Sequence, residues 1–148
     1  MKVSDFICKE LKKKTDYAFV GQGSSILHLL HSAKKYNLKI IPSQNEQCAA
    51  IASDAYSKCS KKIGLTITTS GPGTLNAFQG IASSFYDSVP SIYLSGAPVK
   101  KFLMKKNSKL RQLGFQEMDM RNITKKFTKY STRITDLNKV KYELDKAL

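Results

Sequence analysis

Short apolar runs alternate with helical stretches through the first two thirds of this chain, with glycine or proline at many of the junctions, and that alternation constrains its fold most. Phe6, Ile7 and Leu11 fall at helical spacing behind Ser4 or Asp5, either of which can cap a first helix. A strand over Tyr17–Val20 follows, and the turn Gly21-Gln22-Gly23-Ser24-Ser25 leads into a helix over Ile26–Tyr36. That helix puts Leu27, Leu30 and the Ile26/Leu29 pair on its buried side. A strand over Leu38–Ile41 closes at Pro42, completing a strand–helix–strand unit. The pattern repeats as helix Glu46–Cys59, strand Gly64–Thr69, loop Ser70–Gly73, helix Thr74–Phe85 and strand Ser91–Ser95. Strands alternating with helices of this length imply an α/β fold, doubly wound, with a mostly parallel sheet covered by helices on both faces.

Beyond Gly96 the pattern weakens. Ala97–Leu113 is lysine-rich and weakly periodic, as expected of a mobile surface loop of lid length. A last strand is expected around Lys129–Ile134, and Asp136 can cap a closing helix over Leu137–Leu148. At 148 residues the whole reads as one domain, 1–148, large enough to bury a core without disulfides or metal.

Composition narrows the function classes. The net charge is +14, yet only Arg111, Arg121 and Arg133 among the 25 basic residues are arginines, whereas nucleic-acid recognition leans on the arginine fork. The lysines fall in scattered clusters and read as solvated surface, so nucleic acid is not the expected partner. A basic binding module gripping a polyanion through Lys100–Arg111 is the rival from another class. Cys8, Cys48 and Cys59 are widely spaced and fit reduced thiols. No apolar run suits a signal peptide or a membrane span, so no membrane association is expected and the expected compartment is the cytoplasm.

Several familiar motifs fail on inspection. The third glycine that a dinucleotide fingerprint starting at Gly21-x-Gly23 would require is Ile26. Ser70-Gly71-Pro72-Gly73 lacks the Gly-Lys-Ser/Thr ending of a phosphate-cradling loop. His28 and His31 have no third ligand nearby and read as partly exposed helix histidines, so no metal site is expected. What remains are loops at the C-terminal ends of parallel strands, where open α/β sheets place ligands: Asn45-Glu46 and Ser70–Gly73, with Phe115-Gln116-Glu117 after the lysine-rich segment. From position alone, Glu46 is a carboxylate complementing a helix dipole.

The order of these pieces says more. Asn45-Glu46-Gln47-x-Ala49-Ala50, Asp54-Ala55-Tyr56, Thr69-Ser70-Gly71-Pro72-Gly73-Thr74-x-Asn76, Asp87-Ser88-Val89-Pro90, Gly114-Phe115-Gln116-Glu117 and Ile123-Thr124-Lys125 occur in sequence. Together they resemble the N-terminal, pyrimidine-binding domain of the thiamine-diphosphate enzymes of the acetohydroxyacid (acetolactate) synthase and pyruvate oxidase group. The resemblance runs from about Ser4 to Leu148.

It implies thiamine diphosphate, held at its pyrimidine end, as cofactor. The glutamate matching Glu46 would hydrogen-bond N1′ of the aminopyrimidine and favour the imino form that removes the proton from C2 of the thiazolium. Desolvation of a carboxyl in an apolar cleft favours the proton-sharing this needs. Gly71, Pro72 and Gly73 would shape the backbone against the ring, Asn76 would steady that loop or contact the ring, and Gly23 would let the first turn approach. Phe115 and Gln116 match the position reaching toward the 2-oxo acid substrate, so Glu46 and Gln116 are the expected catalytic pair.

Gln22, Ala55 and Asn45 depart from the residues common in that group, and these departures bear on substrate identity. The stretch Leu110–Glu117 is also similar to acetolactate-synthase-like enzymes of surface-polysaccharide pathways, which opens a keto-sugar carboligation. Nothing in the chain matches the Gly-Asp-Gly signature by which the group binds the diphosphate through Mg²⁺ in a separate domain. The expected protein is therefore a truncated N-terminal domain, or else the small subunit of a split enzyme. It is expected to dimerise, to need a diphosphate-binding domain of the same or a partner chain, and to be inactive alone.

Overall fold

The computed structural model describes residues 1–104 and 108–148. The described elements in chain order are α1 (Val3–Lys12), β1 (Tyr17–Gly21), α2 (Leu27–Lys35), β2 (Lys39–Ser43), α3 (Glu46–Ser60), β3 (Gly64–Thr68), α4 (Pro72–Asn76), α5 (Phe78–Tyr86), β4 (Ser91–Ser95), α6 (Arg121–Thr124) and α7 (Val140–Ala147). Single 3₁₀ turns sit at Ser24–Ile26, Lys100–Phe102 and Leu137–Lys139. The strands form one sheet in the order β2-β1-β3-β4, every pair parallel, with Phe19 opposite Thr66 and Thr66 opposite Tyr93. Helices cover both faces, as the alternation implied: α1 packs with α2, and α3 with α5.

Cys8 and Leu11 of α1, Ile26, Ala33 and Leu38 around α2, and Ala18, Val20, Leu65 and Ile67 of the sheet are buried in one cluster, joined by Leu144 of α7. Behind the sheet, α3 turns Ala49, Ala50 and Ser53 inward, small residues that let the helix lie close to the strands. No helix among the described residues is long and apolar enough to cross a membrane. The three cysteines are free thiols; Cys8 is buried, Cys48 and Cys59 exposed.

Several local expectations change. Ser4 and Asp5 do not cap α1; Lys2 takes that position without a side-chain bond. Asp5 is instead drawn inward, accepting from Ser32 Oγ and from Lys35 Nζ, both at 2.8 Å. The inward stripe of this segment is Ile26, Leu29, Leu30 and Ala33, at ordinary α-helical spacing, and it leaves Leu27 facing outward at 62% exposure. Pro42 does not end β2, which continues to Ser43. A proline is tolerated there because β2 is an outermost strand with one neighbour. The helix expected at Thr74 starts two residues earlier, with Pro72 in its first turn, and divides at Ala77 into α4 and α5.

The strand expected at Lys129–Ile134 is absent: the backbone there has no regular pairing. Residues 129–136 and β4 both line a cleft of about 1750 Å³ instead of pairing. Asp136 does cap the closing helical segment, accepting from Asn138 N at 3.0 Å. Of the loop expected at 97–113, residues 105–107 lie outside the described residues; Lys100–Phe102 form a 3₁₀ turn.

Candidate functional site

The connection leaving β1 reaches β2 on one side, and the one leaving β3 reaches β4 on the other. Between β1 and β3 the winding therefore reverses, and the crevice beyond their C-terminal ends is where such sheets accept ligands. Four loops converge there: the turn after β1, the start of α3, the turn after β3 and the turn at Gly114–Glu117.

Glu46 is the first residue of α3, where the positive end of the helix dipole favours a carboxylate. Asn45 sets the helix start, its Oδ1 accepting from Gln47 N at 2.8 Å. Asn76, the last residue of α4, donates from Nδ2 to Glu46 Oε2 at 2.9 Å. Among the described residues Glu46 Oε1 has no hydrogen-bond partner. The stem of Glu46 crosses directly over Gly21, where a Cβ would stand 2.2 Å from its Cγ. Gly73 lies beside the free oxygen, with the position of a Cβ only 3.2 Å from Oε1.

A cleft of about 570 Å³ opens at this point, lined by Glu46, Thr69, Pro72, Gly73, Leu75, Asn76 and Gln116. Five residues singled out from the sequence thus meet in one place, although they lie up to 70 positions apart. Gly71 stands behind the wall in a left-handed conformation (φ 59°). The carbonyl oxygen of Gln116 occupies the space a Cβ at Gly71 would need, at 2.0 Å. Gly23 packs against the Thr69 side chain at the rim. Phe115 is not brought in: it is 76% exposed and lines no part of the cleft. The adjacent Gln116, in a left-handed conformation (φ 50°), reverses the chain there and separates the two side chains.

Sequence reasoning missed Gly21, Thr69 and Leu75 as site residues. Thr69 stands inside the motif that carries the resemblance, and its Oγ1 lies 2.8 Å from Ser25 Oγ, joining the turns after β1 and β3. The turn after β3 is fixed further by Thr74 Oγ1, which donates to the Thr69 carbonyl at 2.8 Å. His28 and His31 are exposed and line no part of the cleft. Among the described residues no group of three or more His, Cys, Asp or Glu is placed to hold a metal.

A parallel α/β domain whose crevice carries a glutamate at a helix start, facing a Gly-Pro-Gly turn, defines a class, and comparison with known proteins agrees. Residues 1–123 match the model of the family described as "Thiamine pyrophosphate enzyme, N-terminal TPP binding domain", and the chain belongs to that family. Within it the chain is acetolactate synthase-like. It is 35% identical over 130 residues to the acetolactate synthase large subunit of Cyanidium caldarium, covering 85% of this chain and 21% of that protein. Against the mitochondrial acetolactate synthase of Schizosaccharomyces pombe the identity is 30% over 138 residues, 93% of this chain and 20% of the relative. A 2-hydroxyacyl-CoA lyase of Saccharomyces cerevisiae is 30% identical over 123 residues, 83% of this chain and 21% of its own length. The chain thus spans about a fifth of the length of these relatives.

Proposed function

We propose that the Glu46 cleft receives the aminopyrimidine of thiamine diphosphate, and that the enzyme carrying this domain decarboxylates a 2-oxo acid and joins the remaining fragment to an acceptor, as an acetolactate synthase-like carboligase. The observation that carries this reading is the state of the Glu46 carboxyl group. One oxygen is held by Asn76 and the other is free beside Gly73, in a cleft kept open by missing side chains. A flat heteroaromatic ring with one nitrogen acceptor suits that opening: Glu46 supplies the proton-sharing oxygen at N1′, while Pro72 and Leu75 supply apolar surface.

When bound, the cofactor supplies the carbon nucleophile and stores the electrons released as CO₂ departs. The protein's part is orientation and proton handling. Asn76 holds the Glu46 carboxyl group in one rotamer, the dipole of α3 complements its charge, and Gln116 stands at the mouth where a 2-oxo acid enters. Magnesium and the diphosphate are assigned to a second domain, of the same or a partner chain. Leu75, 42% exposed at the cleft wall, fits coverage by that domain in a dimer.

The test is Glu46→Gln in the enzyme that carries this domain. The amide keeps the shape of the side chain but cannot share a proton, so exchange of the cofactor's C2 proton should slow about 10²–10⁴-fold with the circular dichroism unchanged. Exchange at the wild-type rate would refute the assignment.

A further inference from the structure

The turn carrying Gln116 is held from behind by groups outside the cleft. Glu117 has a side chain only 3% exposed, and its carboxylate accepts from two distant segments: Met104 N at 3.2 Å and Arg133 Nη1 at 3.1 Å. Arg133, 18% exposed, donates through Nη2 to the Met118 carbonyl at 3.0 Å, so one guanidinium grips both the side chain of residue 117 and the backbone of residue 118. The turn is closed on itself by Glu117 N donating to the Gly114 carbonyl at 3.2 Å. Gln116, by contrast, makes no side-chain hydrogen bond among the described residues and is exposed.

A non-glycine residue with a positive φ holds that conformation only where its surroundings determine it. At Gln116 the surroundings are Gly71 in front, against the carbonyl oxygen, and Glu117 behind. Among the described residues, removal of Arg133 takes from the nearly buried Glu117 carboxylate its one cationic partner and leaves it only Met104 N, whereas Arg133 without Glu117 keeps the Met118 carbonyl and Asp119 Oδ1 at 3.9 Å.

We propose that Glu117 and Arg133 are positioning residues, a latch that fixes Gln116 at the mouth of the cleft and thereby sets how a 2-oxo acid is received. The part concerning substrate rests on the function proposed above; the latch itself does not. It joins three stretches distant in the chain: the segment after β4 through Met104, the Gln116 turn, and the stretch before α7 through Arg133. Within the stretch 97–113, expected to be a mobile surface loop, Met104 is bonded to Glu117, and Pro98 and the Phe102 carbonyl pack against Gly114 just beyond it.

The first measurement is amide hydrogen exchange on the 148-residue chain as wild type, Glu117→Ala, Arg133→Ala and the double variant. Exchange of the Glu117 amide, the one amide of residues 114–118 with an acceptor among the described residues, should accelerate at least about tenfold in either single variant and no further in the double, with the amides of β1 and β3 unchanged. Glu117→Gln, which keeps an acceptor for Met104 N, should restore part of the protection. Unchanged exchange in the single variants, or additive effects, would overturn the latch.

The second measurement is the KM for pyruvate, the simplest 2-oxo acid probe, in the enzyme carrying this domain. Gln116→Ala and Glu117→Ala should each raise it about tenfold at nearly constant kcat, and combining them should add nothing. Multiplicative effects would refute action through Gln116. A wild-type enzyme with no thiamine-diphosphate-dependent turnover of any 2-oxo acid would overturn the functional reading, and the exchange data would still decide the latch.

Discussion

Replacing Gly21 by alanine is expected to damage the site and spare the fold. The new Cβ would stand 2.2 Å from Glu46 Cγ, against about 3.5 Å for carbon atoms in contact, so the glutamate stem must retreat by about 1.3 Å. The stem is flexible and half-exposed, and it can swing clear. Doing so breaks the 2.9 Å bond from Asn76, worth about 1 kcal/mol at such an accessible position. Alanine also narrows the freedom of the unfolded chain, a gain of about 0.4–1 kcal/mol at a position outside the left-handed region. The two nearly cancel, and the melting temperature should move by less than about 4 °C. Cofactor affinity should not survive so well, because a displaced carboxylate loses a charge-assisted hydrogen bond of about 1.5–3 kcal/mol, a 10- to 150-fold rise in half-saturating thiamine diphosphate. The melt is read on the 148-residue chain by circular dichroism, and half-saturation on the enzyme carrying this domain. Wild-type half-saturation with an intact fold would refute the reasoning, and so would an unfolded variant. Gly71→Ala is the contrast: its obstacle is a backbone carbonyl at 2.0 Å together with φ 59°, neither of which a side chain can relieve, and it should cost stability of about 1–3 kcal/mol.

Two further predictions concern titration and thiol chemistry. The ammonium groups of Lys12 and Lys62, both hydrogen-bonded to Asp16, hold its carboxyl down at about 2 from an ordinary value of 3.8. Its contribution is therefore complete above about pH 4 and is lost as the pH falls toward 2; Asp16→Asn should flatten that part of the stability-versus-pH curve, and an unchanged acid limb would contradict it. Burial pushes the Cys8 thiol up to about 11, so at pH 8 a disulfide reagent should modify Cys48 and Cys59 in the native protein and reach Cys8 only after unfolding. Rapid modification of all three would refute this.

The layered fold was legible because Tyr17–Val20, Gly64–Thr69 and Ser91–Ser95 are short apolar runs set between longer helical ones, and only a parallel sheet accommodates that spacing. Boundaries failed where a neighbour decided them. Pro42 reads locally as a stop but lies in a strand that needs one partner only, and Ser4 and Asp5 read as caps although Asp5 bonds to α2 across a helix–helix contact. Leu27 failed because an apolar stripe is only about 100° wide: Ile26, Leu29, Leu30 and Ala33 fill it, and Leu27 lies beyond its edge. The residues 129–134 have the composition of a strand, but pairing depends on a partner edge within reach, which composition does not encode.

At the site, motif order was enough to assemble Glu46, Pro72, Gly73, Asn76 and Gln116, since each sits at a junction whose place the fold dictates. Phe115 and Gln116 could not be told apart because adjacent residues diverge only through the backbone conformation between them. The latch was invisible as well: Glu117 and Arg133 are common surface types, and their burial arises only after three irregular stretches fold together.

The two flanks of the sheet are chemically unlike. On the β2 flank a single imino acid, Pro42, removes one donor from any new ladder, whereas β4 offers Ser91–Ser95 without such a gap and with vacant volume alongside. Recruitment of additional extended polypeptide is thereby given a direction: the layer can widen past β4 and is discouraged from widening past β2, a polarity of growth written by one ring.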